Sequence, residues 1–316
     1  MTKIDLLKLY GIRAVKIIIS LLIPLLLLIG LNYRQLYAAW LIKSETQRLL
    51  QLAADAPAEF QNPASSEDDF DGQLSPEFWK FTNINGAGEI SNGTAWHSAA
   101  ISFNQSLTLQ HFSDPDFWEE AERFHLPAAD RYNNITLIGG RGFRPSVSQD
   151  VVLQFTMRVS QGFYGTAGVI FQPVGTIGSD GLFAEPFDMF GFSITGEESS
   201  VLGASGPLCY LALNQVPAQV QPLEVDATRL HDYEVRLHWV SQTEWLGSVK
   251  VDETVQCQIA MPPFGPTEVH VWSDNALVLE GPRRWWEIGP AMDLKYQDGG
   301  DKQFSLEVIR ILAEAR

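Results

Sequence analysis

The residues of this chain that could do chemistry are acids, imidazoles and aromatics, and their spacing decides what each set can do. Successive side chains of a strand alternate faces, so two carboxylates converge on one substrate atom only at even offsets. Glu185-Pro186-Phe187-Asp188 has an offset of three and a proline that marks a loop or an edge, and the adjacent Glu197 and Glu198 diverge for the same reason. The six histidines make no pair at metal-helix spacing, and His231 and His238, on one predicted strand, face opposite sides. Gly139-Gly140-Arg141-Gly142 leads into Phe143, Arg144 and Pro145 rather than a helix, which predicts a turn and no phosphate cradle. Ser205 lacks the spacing of a nucleophile elbow. The aromatics offer more. Sugars stack their apolar ring faces on Trp or Tyr while polar side chains bond the hydroxyls. His270, Trp272 and Asp274 alternate with Val269 and Val271, and Trp285-Trp286 sit beside Arg283-Arg284, so both groups are candidate carbohydrate contacts. Trp239 reads as core, Trp272 reads as cleft or core, and Arg283-Arg284 would also suit a carboxylate on a partner subunit.

The elements that must position these residues are strands. Val151 to Val159 puts Val151, Leu153, Phe155, Met157 and Val159 on one face and Gln154, Thr156 and Arg158 on the other. Tyr233 to Trp239 and Val269 to Asp274 alternate in the same way, with Gly, Pro, Asn and Asp turns between short β-branched and aromatic runs. Two stacked antiparallel sheets generate this pattern, so the expected fold is all-β.

Three segments carry a family resemblance in chain order. Phe70-Asp71-Gly72 followed by Leu74, Pro76 and Trp79, then His231-Asp232-Tyr233-Glu234-Val235 with Trp239 and Val249-Lys250-Val251-Asp252, then Phe304 to Ile311, resemble the opening, the central strand pair and the closing strand of the concanavalin A-like lectin/glucanase superfamily. The likeness is to the jelly-roll sandwich of family-16 glycoside hydrolases and to laminin-G-like modules. Glu253 stands where that family's Val-Asp-Gly hairpin has its Gly. The resemblance implies a concanavalin A-like jelly-roll of two antiparallel sheets over residues 70–316. The family's hydrolases carry Glu-x-Asp-x-(x)-Glu on one strand, and no such string occurs here. The catalytic set is therefore empty. The resemblance also implies a structural Ca²⁺ where first and last strands meet, with Asp71 and Asp293 as candidate ligands among Asp68, Asp69, Asp298 and Asp301; solvated acidic turns are the alternative.

Upstream, the apolar run Ile17 to Leu31 follows Lys3, Lys8, Arg13 and Lys16, so residues 15–33 read as a membrane span with a cytoplasmic N-terminus. A cleaved signal peptide competes, but Leu36 and Tyr37 stand where small residues are needed before Ala38 and Ala39. Residues 1–54 are thus expected to hold a cytoplasmic tip, transmembrane anchor and juxtamembrane helix, and 55–69, mixing Pro, Ser and acids, a flexible acidic stalk. Of 22 basic and 38 acidic residues, seven and two fall in 1–48, which leaves 15 and 36 beyond and a charge near −21. That balance disfavours nucleic acid and anionic lipid as partners of the exported domain. Cys209 and Cys257 form a candidate disulfide outside the cytoplasm, or two core thiols. Asn92, Asn104 and Asn134 open glycosylation sequons. The function classes left open are a cell-membrane-anchored, extracytoplasmic carbohydrate-recognition module, a structural accessory subunit of a membrane complex, and an atypical glycoside hydrolase.

The anchor generates the first prediction. N-terminal sequencing of the mature protein is expected to return the chain from its own N-terminus, whereas a chain starting near Trp40 would show cleavage.

Overall fold

The computed structural model describes residues 35–82, 99–103, 105–125, 134–175, 188–196, 199–214, 216–279, 293–296 and 300–316. Contacts divide the chain into two compact units, the larger over 41–280 and 292–316, with 35–40 in the smaller. Residues 35–40 and 41–54 are helical, and the latter stretch is α1. The strands in chain order are β1 (Ser66–Asp68), β2 (Trp79–Thr82), β3 (Ala99–Phe103), β4 (Leu107–His111), β5 (Asn134–Phe143), β6 (Gln149–Val159), β7 (Thr166–Pro173) and β8 (Met189–Thr195). They continue as β9 (Gly206–Leu213), β10 (Val216–Pro222), β11 (His231–Ser241), β12 (Glu244–Val251), β13 (Thr254–Met261), β14 (Thr267–Asp274), β15 (Ala276–Leu279), β16 (Asp293–Tyr296) and β17 (Lys302–Ala315). A helix, α2 (Pro115–Arg123), follows β4, with Pro at its start and the Asp114 carboxylate accepting from the Phe117 N–H.

All pairings between these strands are antiparallel. One sheet runs β13-β12-β11-β6-β17-β4-β3 with β1 beside β17, the other runs β10-β9-β8-β7-β14-β5-β2, and β15 pairs β16. The protein is an all-β sandwich. Its core lies between the sheets: Leu153, Phe155, Met157, Tyr233, Val235, Ile309 and Ile311 from the first meet Val169, Phe171, Phe190, Phe192, Val269 and Val271 from the second. Phe155 and Tyr233 stack with centroids 5.2 Å apart. Each fully buried Phe or Leu contributes about 1.5–3 kcal/mol of transfer free energy. At one edge Cys209 of β9 and Cys257 of β13 join the two sheets in a disulfide.

Two expectations meet a different outcome. The composition of 55–69 reads as a stalk, yet the segment is docked along its length. Asn62 accepts from the Arg144 N–H and donates to the Arg144 carbonyl, Ala58 accepts from the Val147 N–H, and β1 joins β17. The buried Asp68 carboxylate accepts from the N–H groups of Phe70, Ser75 and Trp79 Nε1 at 2.6–2.8 Å. Polar residues here satisfy backbone donors of the sandwich rather than water, so the sandwich starts before Phe70. Gly139 to Gly142 is likewise a bulged part of β5 and not a turn, with Gly140 and Gly142 at φ of 50° and 93°. Ile42, Leu49 and Ala53 of α1 pack on the core, and the Gln242 amide donates to the Ala53 and Ala56 carbonyls at the helix C-terminus. Among the described residues no helix is long and apolar enough to cross a membrane; residues 15–33 lie outside them.

The hairpin between β12 and β13 turns on Asp252 and Glu253, both at positive φ, 47° and 69°. This is the conformation for which glycine is suited. Asp252 offsets the strain by accepting from the Asp232 N–H and His231 Nδ1. Glu253→Gly is expected to stabilise the protein by about 1 kcal/mol, raising Tm by about 2–4 °C in a thermal melt. Asp252→Gly is expected to lower Tm.

Candidate functional site

Because Val269 and Val271 of β14 point into the core, Glu268, His270, Trp272 and Asp274 share the outer face of the seven-stranded sheet. The registers set their neighbours. On β7, Gln172, Ile170, Gly168 and Thr166 lie opposite these four in turn, and on β5, Ile138, Thr136 and Asn134 lie opposite the last three. Farther across, Gly191, Ser193 and Thr195 of β8 and Tyr210 of β9 continue the face.

Trp272 is half-buried and its orientation is fixed. Its ring lies over Gly168, where any added Cβ would approach the ring to 2.3 Å. Its Nε1–H donates to Thr166 Oγ1 at 3.1 Å, and Thr166 passes both its hydroxyl and its N–H to Asp274 Oδ1, at 3.0 and 3.1 Å. The His270 ring lies 5.4 Å from the indole. His270 is 5% exposed, and burial lowers its pKa to about 3, so the imidazole is neutral throughout the physiological range. Behind it, between the sheets, His111 Nε2 meets Ser273 Oγ at 3.2 Å, and burial lowers its pKa to about 4.

Glu268 is hidden in the sequence because it precedes the alternating run that begins at Val269. It is 3% exposed, pairs with Arg141 Nε at 3.0 Å and accepts from the Gly175 N–H at 3.3 Å. Burial raises its pKa while the Arg141 charge opposes the rise. The signal that could have found it is a further alternate position before His270. Of the described side chains on this face the carboxylates are Glu268 and Asp274, six residues apart on one strand and so about 20 Å apart. Retaining glycoside hydrolysis needs two carboxyls about 5–5.5 Å apart. Met189, Gly191, Ser193 and Thr195, the outward positions of β8, carry no carboxylate.

The remaining sequence candidates fall elsewhere. Arg283, Arg284, Trp285 and Trp286 lie outside the described residues, as do Glu185, Glu197, Glu198, Asn92 and Asn104. Asp71 is an exposed turn residue, the side chain of Asp293 is outside the description, and among the described residues no three His, Cys, Asp or Glu side chains are grouped to hold a metal ion. Asn134 and Thr136 are buried in β5.

The outer face of the eight-stranded sheet is a web of paired charges. Asp150 takes Arg236, His238 and Arg316 at 2.9–3.1 Å. Burial would raise its pKa, but the Arg316 and Arg236 hydrogen bonds hold it below the usual range. Glu234 takes Arg236 and Lys250 at 3.0 Å beside a depression of about 360 Å³ that reaches Glu67 and Arg310.

No protein-family model matches the sequence, and no curated protein matches it. Solved structures do match. A prokaryotic β-1,3-1,4-glucanase (lichenase) derived from a mouse hindgut metagenome has a TM-score of 0.46 at 14% identity, covering 79% of this chain and 99% of that one. A Bacillus licheniformis β-glucanase has a TM-score of 0.43 at 14% identity, covering 79% and 99%. A GlcNAcα1-4Gal-releasing endo-β-galactosidase from Clostridium perfringens has a TM-score of 0.45 at 10% identity, covering 81% and 64%.

The two buried imidazoles generate a prediction for solution. The ring resonances of His111 and His270 are expected to stay at neutral-imidazole positions from pH 8 to pH 5 by NMR. Stability conferred by their burial is present above about 6.5 and is lost as pH falls, because only the unfolded chain takes up those protons.

Proposed function

We propose that the protein is a membrane-anchored, extracytoplasmic sandwich that recognises a polysaccharide or glycan without hydrolysing it. The observation that carries this reading is Trp272: a partly exposed indole that lies over Gly168 and is fixed by its bond to the partly exposed Thr166 hydroxyl, with the buried hydroxyls of Ser193 and Thr195 farther along the same face. An aromatic platform held in place beside the partly exposed Thr166 hydroxyl suits the apolar face and hydroxyl rim of a sugar ring. The separation of Glu268 from Asp274 supports recognition over hydrolysis. Placement outside the cytoplasm is supported by the basic flank of residues 15–33 and by the buried disulfide, which a reducing cytosol would disfavour. In this reading His270 and Asp274 position the platform, and Arg283, Arg284, Trp285 and Trp286 extend the contact.

A second reading, an accessory subunit of a membrane complex, draws on Leu36 and Trp40, one helical turn apart and 53% and 60% exposed, as a seat for a partner helix.

One set of measurements separates the readings. Full-length protein in detergent is screened on a glycan array, and hits are followed by calorimetry. Weak binding is expected, reduced about tenfold or more by Trp272→Ala, the scale of one binding hot spot of roughly 1–3 kcal/mol, with little change in Tm. Trp272→Phe keeps a ring without the N–H and is expected to lose less. Laminarin, lichenan and agarose are expected to remain intact. Absence of glycan binding favours the accessory subunit, and turnover abolished by Glu268→Gln overturns the non-catalytic reading.

A further inference from the structure

Outside the candidate site, α1 meets the sandwich through a cluster that two buried acids and one base leave out of balance. Glu45 projects from α1 and Asp188 precedes β8, with side chains 5% and 0% exposed. Arg48, one turn on from Glu45, bonds it closely and reaches Asp188 Oδ2 at 3.5 Å, but its own side chain is 42% exposed. Asp188 Oδ1 accepts from the Asn214 N–H at 2.9 Å. Two ionised carboxylates against one half-solvated guanidinium would leave a net buried negative charge in the contact. A buried charge without a partner costs several kcal/mol, and a proton shared between the acids removes it.

We infer that the contact between α1 and the start of β8 is a proton-held clasp, in which a protonated Asp188 hydrogen-bonds the Glu45 carboxylate and whose release loosens α1 on the sandwich. Burial is the main cause that raises the Asp188 pKa, to about 7; the Asn214 N–H opposes the rise, the Glu45 charge and hydrogen bond add to it, and Arg48 opposes it. Among the described residues Glu45 and Arg48, both on α1, are the charged groups acting on Asp188, and the turn between β9 and β10 contributes only the neutral Asn214 N–H. The sign follows from linkage. An acid whose pKa is raised in the docked state stabilises docking fully below its free value near 3.9, and this stabilisation is lost as pH rises through about 7. Leu49 and Ala53, buried farther along α1, keep the helix associated when the clasp opens. The clasp is independent of what the outer face binds.

Hydrogen exchange of full-length protein, read by mass spectrometry and corrected for intrinsic rates, tests it. Opening of the peptide covering 41–54 is expected to rise about 30-fold between pH 5.5 and 8.5, the span set by pKa values near 7 and 3.9. β11 serves as a control and should not change. Asp188→Asn, whose amide supplies a permanent donor to Glu45, is expected to remove the pH dependence. Glu45→Gln is expected to restore protection at pH 8.5 and stands as the test if Asp188→Asn does not fold. Protection of 41–54 that is flat with pH in the unaltered protein, or a pH dependence that survives both substitutions, overturns the clasp.

Discussion

The constraint on which this structure depends is that its seven-stranded sheet is buried on both faces. The inner face packs on the other sheet, and Gln172, Glu268, His270, Thr136, Ser193 and Thr195 on the outer face are each under a tenth exposed. A sheet buried on one side leaves its polar residues to water. Here they must be neutral or partnered, because an unpaired polar group in such a setting costs about 1–3 kcal/mol. That requirement explains the neutral imidazole of His270, the ion pair of Glu268 with Arg141, and the bonds from Thr166 to Asp274. It also explains the glycines. Gly168 and Gly191 leave room on that face for Trp272 and for the backbone of β7, where a Cβ at either would meet atoms at 2.3–2.8 Å.

The same demand accounts for the segment that composition misrepresents. Residues 55–69 contain few apolar groups and so look unable to fold, but their polar atoms are what the edges of the sandwich lack. Asp68 gathers three N–H donors and Asn62 pairs both ways with the Arg144 backbone. Phe70, at a φ of 55° and fully buried, follows directly from the turn that Asp68 organises. Composition measures whether a segment could make its own core, and this one borrows a core that other strands have made.

What was legible in the sequence follows from periodicity. Alternation assigned the inward residues of β6, β11 and β14 correctly, because a period of two depends only on the strand's own residues. It also put Trp239 in the core and His231 and His238 on opposite faces of β11. Periodicity could not say which sheet a strand joins, whether its second face meets water, or where a bulge shifts the phase. The glycines around Arg141 therefore resemble a turn in the sequence, although the bulge in β5 aims Arg141 at Glu268. Glu268 gives little signal in the sequence because it lies at a strand end. The disulfide can be named from sequence only as one of two states, since the facing of β9 and β13 across the sandwich is a long-range fact. Glu253 at the hairpin was legible as a departure from glycine, and its positive φ is the consequence.

The distribution of charge across the two sheets completes the physical account. On the outer face of the eight-stranded sheet acids are matched by bases, so Asp150 stays below the usual carboxylate range despite burial, and Glu234 does so between Arg236 and Lys250. These two acids stay ionised across the physiological range, and with many fixed partners the face resists change. At the junction of α1 with β8 the count reverses, because two acids share one base and burial outweighs the base. A group held near neutrality is sensitive only where the ordering contact is itself modest, and α1 meets that condition with Leu49 and Ala53 as its buried apolar residues. Rigidity is thus concentrated where the strands cross-brace one another, and responsiveness where a single helix is laid against them.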